Sequence, residues 1–203
     1  KARSVVIVFI DGDEGKVTIE EAKELPSETH LLAELLTEKY GGDNKRSISV
    51  VSAGPGAEHT RIGCLNCSFY DVPRKMVRYK QAGRGGTGTV LRNKRIKAIV
   101  VKFSHMDAGT NNPAHSDVLK DVGPAYNREI RALDPKQHRM ATVGTTHLVD
   151  IMNDFDLLPT NNFKFGSHPD GPKLGEKVYD LKFHRGFDGC WVGCAVACSH
   201  CVK

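Results

Sequence analysis

The feature that most constrains this chain is a cluster of cysteines near its C-terminal end. Cys190, Cys194, Cys198 and Cys201 lie within Asp188-Gly-Cys-Trp-Val-Gly-Cys-Ala-Val-Ala-Cys-Ser-His-Cys201. The first three recur every four residues, so on a helix or a loosely wound turn their sulfur atoms project to one side. Thiolates held so close together repel one another unless a metal ion or a cluster neutralises their charge. The spacing therefore predicts a metal site.

The arrangement of the cysteines in one run bears on which metal they bind. Structural zinc sites usually divide their ligands into two separated pairs with short intervals inside each pair. A single run that takes a further ligand from elsewhere is more typical of an iron–sulfur cluster. Disulfides are disfavoured, because helical neighbours four residues apart are poorly placed for an unstrained bridge. The pattern favours a cluster and leaves zinc as the alternative.

Composition describes an ordinary globular protein. The 203 residues are 39% hydrophobic and 26% charged, with a net charge of +5. No basic patch interleaved with aromatic residues indicates nucleic acid binding, and no apolar run approaches the length of a membrane span. Free cysteines fit a reducing compartment, so the cytoplasm is expected. Because the chain lacks an initiator methionine and ends just after the cysteines, we expect it to be a piece of a longer protein.

The first fifty residues predict structural elements only. Ser4–Ile10 and Lys16–Glu20 read as a β-hairpin joined by Asp-Gly turn chemistry. A helix is predicted from Ser27, as its cap, to Tyr40, and a strand from Arg46 to Val51. The predicted apolar stripe of the helix consists of Leu31, Leu32, Leu35 and Leu36. Farther on, Cys64 and Cys67 form an isolated C-x2-C motif. We expect buried thiols beside the core there rather than a metal site.

A glycine-rich segment carries the second chemical signal. Four glycines between Gly83 and Gly88 let the backbone approach a ligand and aim amide groups at an anion, and Lys80 and Arg84 add positive charge. The spacing also satisfies G-x-G-x-x-G with Asp107 downstream, but a buried strand before it and a crossover helix after it are not expected. The favoured reading is an anion site, and the alternative is a turn that merely packs tightly.

The second half of the chain is predicted to be helical. A polar linker from His105 to Ser116 precedes helices at Pro124–Leu133, Thr145–Phe155 and Leu174–Phe183. The last helix is expected to bury a stripe of Leu174, Val178 and Leu181. Asp150 and Asp154, four residues apart, are expected on the solvated side of the middle helix.

Several segments together resemble the tungsten-containing aldehyde ferredoxin oxidoreductases. Gln81-Ala-Gly-Arg-Gly-Gly-Thr-Gly-Thr-Val90, followed by Lys94-Arg-Ile-Lys-Ala-Ile-Val-Val101, resembles that family's glycine-rich signature. Gly144-Thr-Thr-His-Leu-Val149 and Leu157-Leu-Pro-Thr-Asn-Asn-Phe163 resemble two further family segments. The final cysteine stretch resembles the family's cluster motif. The motifs occur in the family's order and cover most of the chain from about residue 52 onward.

The resemblance implies a tungsten bis-pterin cofactor (tungstopterin) and a 4Fe-4S cluster. By position, the pterin phosphates would contact Lys80, Gln81, Gly83 and Arg84, and the cluster would take Cys190, Cys194 and Cys198 as ligands. The family's fourth cysteine lies in a later domain, so Cys201 either substitutes for that ligand or is a bystander, and the second interpretation is favoured. The interval of three residues between Cys190 and Cys194 is closest to the tungsten subunit of ATP-independent benzoyl-CoA reductase.

The resemblance also implies the overall organisation and the partners. It implies an α+β protein in which residues 1–103 are the rear part of a pterin-binding β-sheet domain and residues 104–203 begin an all-helical domain. Electrons would pass to ferredoxin or to an iron–sulfur partner subunit, with an aldehyde or an aryl-CoA as the substrate, in a homo- or hetero-oligomer.

His147 is the candidate for proton transfer, because histidine titrates near neutral pH and this one starts a predicted helix. A structural role is the alternative for that residue. A non-catalytic module binding a cluster or zinc is the alternative function for the whole chain.

Overall fold

The computed structural model describes residues 1–105, 113–137, 139–190 and 194–202. Within this range the chain divides into a first unit, Lys1–Asn112, and a second unit, Pro113–Lys203. The first unit combines a sheet with helices, and the second is mainly helical with one hairpin. The predicted α+β class is therefore confirmed. Asp107 and most of the predicted linker lie outside the described residues.

A six-stranded mixed sheet forms the first unit. Its strands are β1 (Val6–Asp11), β2 (Lys16–Glu21), β3 (Ile48–Ser52), β4 (Leu65–Asp71), β5 (Met76–Ala82) and β6 (Ile96–Lys102). The order across the sheet is β2-β1-β6-β3-β4-β5, in which β1 and β6 are parallel and every other neighbouring pair is antiparallel. The predicted hairpin is confirmed as β1 and β2, and the predicted third strand begins slightly later than expected.

One helix, α1 (Thr29–Gly41), covers one face of this sheet. Leu32 and Leu36 are buried against Ile7, Val50 and Val100. Burial of each leucine contributes about 1.5–3 kcal/mol. Leu31 and Leu35 are instead exposed, so the predicted four-leucine stripe is wrong at those positions.

The helix cap also differs from the prediction, which placed it at Ser27. Glu28 caps α1, because its carboxylate accepts hydrogen bonds from the backbone N–H groups of His30 (3.0 Å) and Leu31 (2.8 Å). A side-chain acceptor at this position satisfies amide groups that have no partner inside the helix.

Strand β5 was not predicted, because its residues are largely basic and polar. It forms by pairing along its whole length with β4. The turn between them is held by Asp71, whose buried carboxylate binds the guanidinium groups of Arg74 (2.7 Å) and Arg78 (2.9 Å). Burial raises the pKa of Asp71, but the hydrogen bonds from both arginines outweigh it and the net pKa is lowered. Tertiary pairing thus overrides the weak strand signal.

A short helix, α2 (Thr87–Asn93), precedes β6 in the first unit. The second unit contains α3 (Ser116–Gln137), α4 (Met140–Val143), α5 (His147–Asp154) and α6 (Glu176–Lys182). Helix α3 begins well before Pro124, where the sequence placed its start, and continues through that proline. The antiparallel strands β7 (His184–Asp188) and β8 (Ser199–Val202) follow α6. The expectation of an entirely helical second part is therefore wrong, because the cysteine segment is held by a hairpin.

The apolar side chains of the second unit are largely exposed. Leu174 and Leu181 are 69% and 85% exposed, so the predicted buried stripe is wrong at these two positions, whereas Val178 is half-buried. Helix α6 starts at Glu176, after a 3-10 turn at Gly171–Leu174, which shifts Leu174 out of the helix. Among the described residues of this unit, Val143 is the one buried hydrophobic side chain. No helix in the described ranges combines the length and hydropathy that a bilayer span needs.

Candidate functional site

The glycine-rich segment connects β5 at the sheet edge with the short helix α2 (Thr87–Asn93). Gln81, Gly83 and Arg84 are exposed there, and Lys80 is half-buried. The amide Nε2 of Gln81 donates to Oδ1 of Asn66 on β4 at 3.2 Å. The four residues that were predicted to contact a pterin are sequence neighbours, and three of them are exposed on this segment.

The glycines of this segment divide into two classes. A Cβ atom on Gly86 would lie 2.2 Å from the carbonyl oxygen of Arg61, and one on Gly88 would lie 2.1 Å from that of Cys64. The backbone N–H of Gly88 also donates to the carbonyl of Gly63 at 2.9 Å. A Cβ on Gly83, by contrast, would meet nothing within 4 Å. Tight packing explains Gly86 and Gly88, a positive φ of 87° suits Gly85, and Gly83 faces open space.

The topology excludes a dinucleotide fold at this sequence. In that fold the glycine motif joins a buried strand to a crossover helix that leads to a parallel strand. Here the preceding strand, β5, lies at the sheet edge. The chain runs from β5 through the seven residues of α2 to β6, three positions away in the sheet. The intervening pairs are all antiparallel, so β6 runs opposite to β5.

Cys64 and Cys67 lie close to the glycine-rich segment. Cys64 immediately precedes β4, and Cys67 lies within it, opposite Lys80 of β5. Both thiols are free and half-buried, so the prediction of buried thiols is too strong. The contact of the Cys64 carbonyl with Gly88 gives this residue a packing role.

In the second unit the cysteine segment forms a turn rather than a helix at its described residues. Cys194 accepts hydrogen bonds from the backbone N–H groups of Ala197 and Val196, and the side chain of Cys190 contacts it as well. These hydrogen bonds lower the pKa of the Cys194 thiol. Ala197 has a positive φ of 48°, which turns the chain back toward the sulfur. The same hydrogen bonds stabilise the thiolate, the form that binds metals, relative to the thiol of an ordinary cysteine.

Cys198 is connected to a different predicted motif. Its carbonyl accepts a hydrogen bond from the backbone N–H of Thr145 at 3.3 Å, and it forms a bridge with Asp188. The Gly-Thr-Thr-His segment therefore lies beside the cysteine segment. Within the described residues, no three His, Cys, Asp or Glu side chains are already assembled as a metal site. The side chain of Cys201 lies outside the described residues.

His147 is the first residue of α5, and its side chain faces α6. Its Nδ1 lies 3.4 Å from Oε2 of Glu176, and both side chains are about four-fifths buried. Arg139 approaches the same oxygen at 3.7 Å. The structure thus places the Glu176 carboxylate beside the predicted proton-transfer residue and the Arg139 cation on the same carboxylate oxygen, and the sequence predicted neither contact.

Asp150 has a structural role that the sequence did not predict. Its Oδ2 accepts a hydrogen bond from the backbone N–H of Glu176 at 3.1 Å, which caps α6. Gly175 permits this approach, because a Cβ there would lie 2.0 Å from Oδ1 of Asp150. The expectation that Asp150 is simply solvated is wrong, whereas Asp154 is exposed as predicted. Gly175 before an acidic helix start was the available signal in the sequence.

Comparison with known proteins agrees with these motifs. Residues 1–103 match the family model described as aldehyde ferredoxin oxidoreductase, N-terminal domain. Residues 121–203 match the one described as aldehyde ferredoxin oxidoreductase, domains 2 & 3. The matches follow one another in the chain, in the order of the family's domains.

Two similar proteins are both described as tungsten-containing aldehyde ferredoxin oxidoreductases. The protein from Pyrococcus horikoshii is 26% identical over 166 residues, which are 82% of this chain and 25% of that protein. The protein from Pyrococcus abyssi is 31% identical over 88 residues, 43% of this chain and 14% of that protein. The chain thus spans at most about a quarter of the length of these relatives. Because the two family models together match most of its residues, the chain belongs to the aldehyde ferredoxin oxidoreductase family.

Proposed function

We propose that this chain is part of a tungsten bis-pterin and iron–sulfur oxidoreductase that carries out low-potential two-electron chemistry. The observation that carries the proposal is the succession of two domains of one redox family in a single chain. The reaction is either oxidation of an aldehyde to a carboxylate with ferredoxin or reduction of an aryl-CoA such as benzoyl-CoA. The first is the activity in the relatives' names. The wider spacing between Cys190 and Cys194 favours the second.

The glycine-rich segment would hold the phosphates of the pterin cofactor. Gly83 leaves open space beside the backbone, and the cation of Arg84 is exposed next to it. Lys80 and Gln81 precede them on β5. Guanidinium and amide groups bind phosphate oxygens well, so these residues fit such a group. A bound tungsten bis-pterin would supply the redox chemistry, and these residues would only bind and orient it.

Cys190, Cys194 and Cys198 would be three ligands of a 4Fe-4S cluster. The hydrogen bonds that lower the pKa of Cys194 favour a thiolate donor, and Cys190 already contacts it. Hydrogen bonds to cysteine sulfur atoms also tune the potential of such clusters. The fourth ligand would come from residues outside this chain, and Cys201 would not be needed.

His147 would move a proton between solvent and substrate. Its Nδ1 interacts with the Glu176 carboxylate, which orients the ring and leaves Nε2 for proton exchange. In the complete enzyme, His147→Gln is expected to lower kcat about 100-fold and to flatten its pH profile, while pterin and iron contents stay constant. His115→Gln, at an exposed position before α3, is the matched control. An unchanged pH profile in the His147 variant would refute the assignment.

The electron partner would be ferredoxin or an iron–sulfur subunit, and the compartment the cytoplasm. Low-potential clusters and free cysteines fit a reducing environment. A homo- or hetero-oligomer would be consistent with electron exchange between subunits.

The test of the proposal is metal and pterin analysis of the complete protein, purified without oxygen. We expect tungsten, pterin and several irons per chain. Arg84→Ala should lower the pterin content and spare iron, because it removes a cation beside Gly83 only. Arg46→Ala removes an exposed cation elsewhere in the first unit and is the control. It should change neither the pterin content nor the iron content. If the protein contains zinc but no pterin, the redox proposal is wrong and the chain is a non-catalytic binding module.

A further inference from the structure

A cleft lined by several cationic side chains lies where α2 ends and β6 begins. Its volume is about 260 Å³, and its polar lining comprises Lys1, Arg92, Asn93, Arg95, Lys97 and Glu58. We call it the Arg95 cleft. None of the four residues predicted to contact a pterin lines it. Four cationic side chains therefore share a small space with one carboxylate.

The hydrogen bonds of these cations leave much of their charge uncompensated. The Arg92 side chain is 9% exposed and pairs with the Glu58 carboxylate. Nζ of Lys97 instead donates to the neutral carbonyl of Leu25 at 2.5 Å. Nη1 of Arg95 donates to the neutral carbonyl of Arg3, also at 2.5 Å. Neutral acceptors satisfy hydrogen bonds but not charge. The carboxylates of Glu58 and Glu24 act on Lys97 and offset part of the charge. Against the four cations they leave the cleft with a net positive charge.

Burying the charged Lys97 side chain beside Arg92 costs free energy, and a bound anion would reduce that cost. The residue is 4% exposed, and it lies at the point where the register between β1 and β6 shifts. Burial, followed by the nearby charge of Arg92, lowers the pKa of Lys97, and the smaller opposing effects of Glu24 and Glu58 do not restore it. Buried lysines are rare unless paired. An anion in the cleft would offset the repulsion between Arg92 and Lys97.

We propose that the Arg95 cleft binds a phosphoryl group. Arginine side chains bind phosphate oxygens through two parallel hydrogen bonds, and the Asn93 amide can donate as well. Drug-sized ligands usually occupy 300–1,000 Å³, so the cleft suits a small anion. The phosphoryl group is either inorganic phosphate or the phosphorylated end of a larger molecule. The proposal stands independently of the pterin assignment.

The test uses the complete protein with Arg95→Gln and Lys97→Met variants. Lys94→Gln is the control, because Lys94 is exposed and does not line the cleft. Calorimetric titration with inorganic phosphate should show binding that either cleft variant weakens about tenfold or more, since each removes a charge-assisted contact. The control should bind phosphate as the unaltered protein does. Because Arg95 is exposed, the Arg95→Gln variant should fold, so the proposal can be tested even if Lys97→Met does not fold.

A second arm distinguishes the two sources of the phosphoryl group. Phosphorus released by denaturing the purified protein is measured together with its pterin content. If a phosphorylated molecule occupies the cleft, the Arg95→Gln protein should release less phosphorus than the control. The pterin content should be the same in both proteins, because none of the residues predicted to contact a pterin lines the cleft. A parallel loss of pterin would assign the released phosphorus to the cofactor and would overturn a separate phosphoryl site. Equal phosphate affinity and equal released phosphorus in variant and control would overturn the proposal, whatever the pterin content.

Discussion

The first and second units differ in what holds their candidate sites. In the first, the glycine-rich segment adjoins a sheet whose core is buried, and Gly86 and Gly88 rest directly on backbone carbonyls. In the second, Val143 is the one buried hydrophobic side chain among the described residues, and the site is positioned by polar contacts such as Asp150 with α6. Close packing therefore shapes the first site, whereas hydrogen bonds shape the second.

The largest expected effect contrasts a leucine from each unit. Leu36→Ala should lower the free energy of unfolding of the first unit by about 3 kcal/mol, because it leaves a cavity among packed side chains. Leu181→Ala should change stability by less than about 0.5 kcal/mol, because that side chain lies in solvent. Denaturant unfolding of the two variants measures both values. Equal losses would mean that Leu181 is packed in the complete protein.

An intermediate effect is expected within the glycine-rich segment. Gly88→Ala should destabilise the first unit by about 2 kcal/mol, because the new Cβ would overlap the Cys64 carbonyl and β4 would have to move. Gly83→Ala is the matched control and should stay within about 0.5 kcal/mol, since the space around it is open. Thermal unfolding of the pair provides the measurement. A Gly88 variant as stable as the control would contradict the packing role.

The smallest effect tests the polar contacts of the second unit. Asp150→Ala should destabilise α6 by about 1 kcal/mol, because the backbone N–H of Glu176 loses its cap. Asp154→Ala, on the same helix but exposed, should have little effect. Hydrogen exchange of the amide protons in α6 reports the local difference. Unchanged protection in the Asp150 variant would show that other contacts hold this helix start.

Local patterns in the sequence predicted much of the first unit. The hairpin β1–β2, helix α1 and strand β3 follow from periodicity and turn chemistry, which act over a few neighbouring residues. Strand β5 could not be predicted in this way, because its conformation depends on pairing with β4 and on the ion pairs of Asp71. Helix boundaries in the second unit were less accurate, since Ser116 starts α3 far upstream of Pro124.

Sequence alone determined the family, the cysteine motif and the glycine-rich motif, because these depend on residue identity and spacing. Tertiary structure decided which glycines are fixed by packing and which one faces open space. It also placed Glu176 against His147 from a separate helix and collected Arg92, Arg95 and Lys97 in one cleft. Such contacts join residues that are distant in the chain or whose side-chain directions depend on the fold, so no local pattern records them.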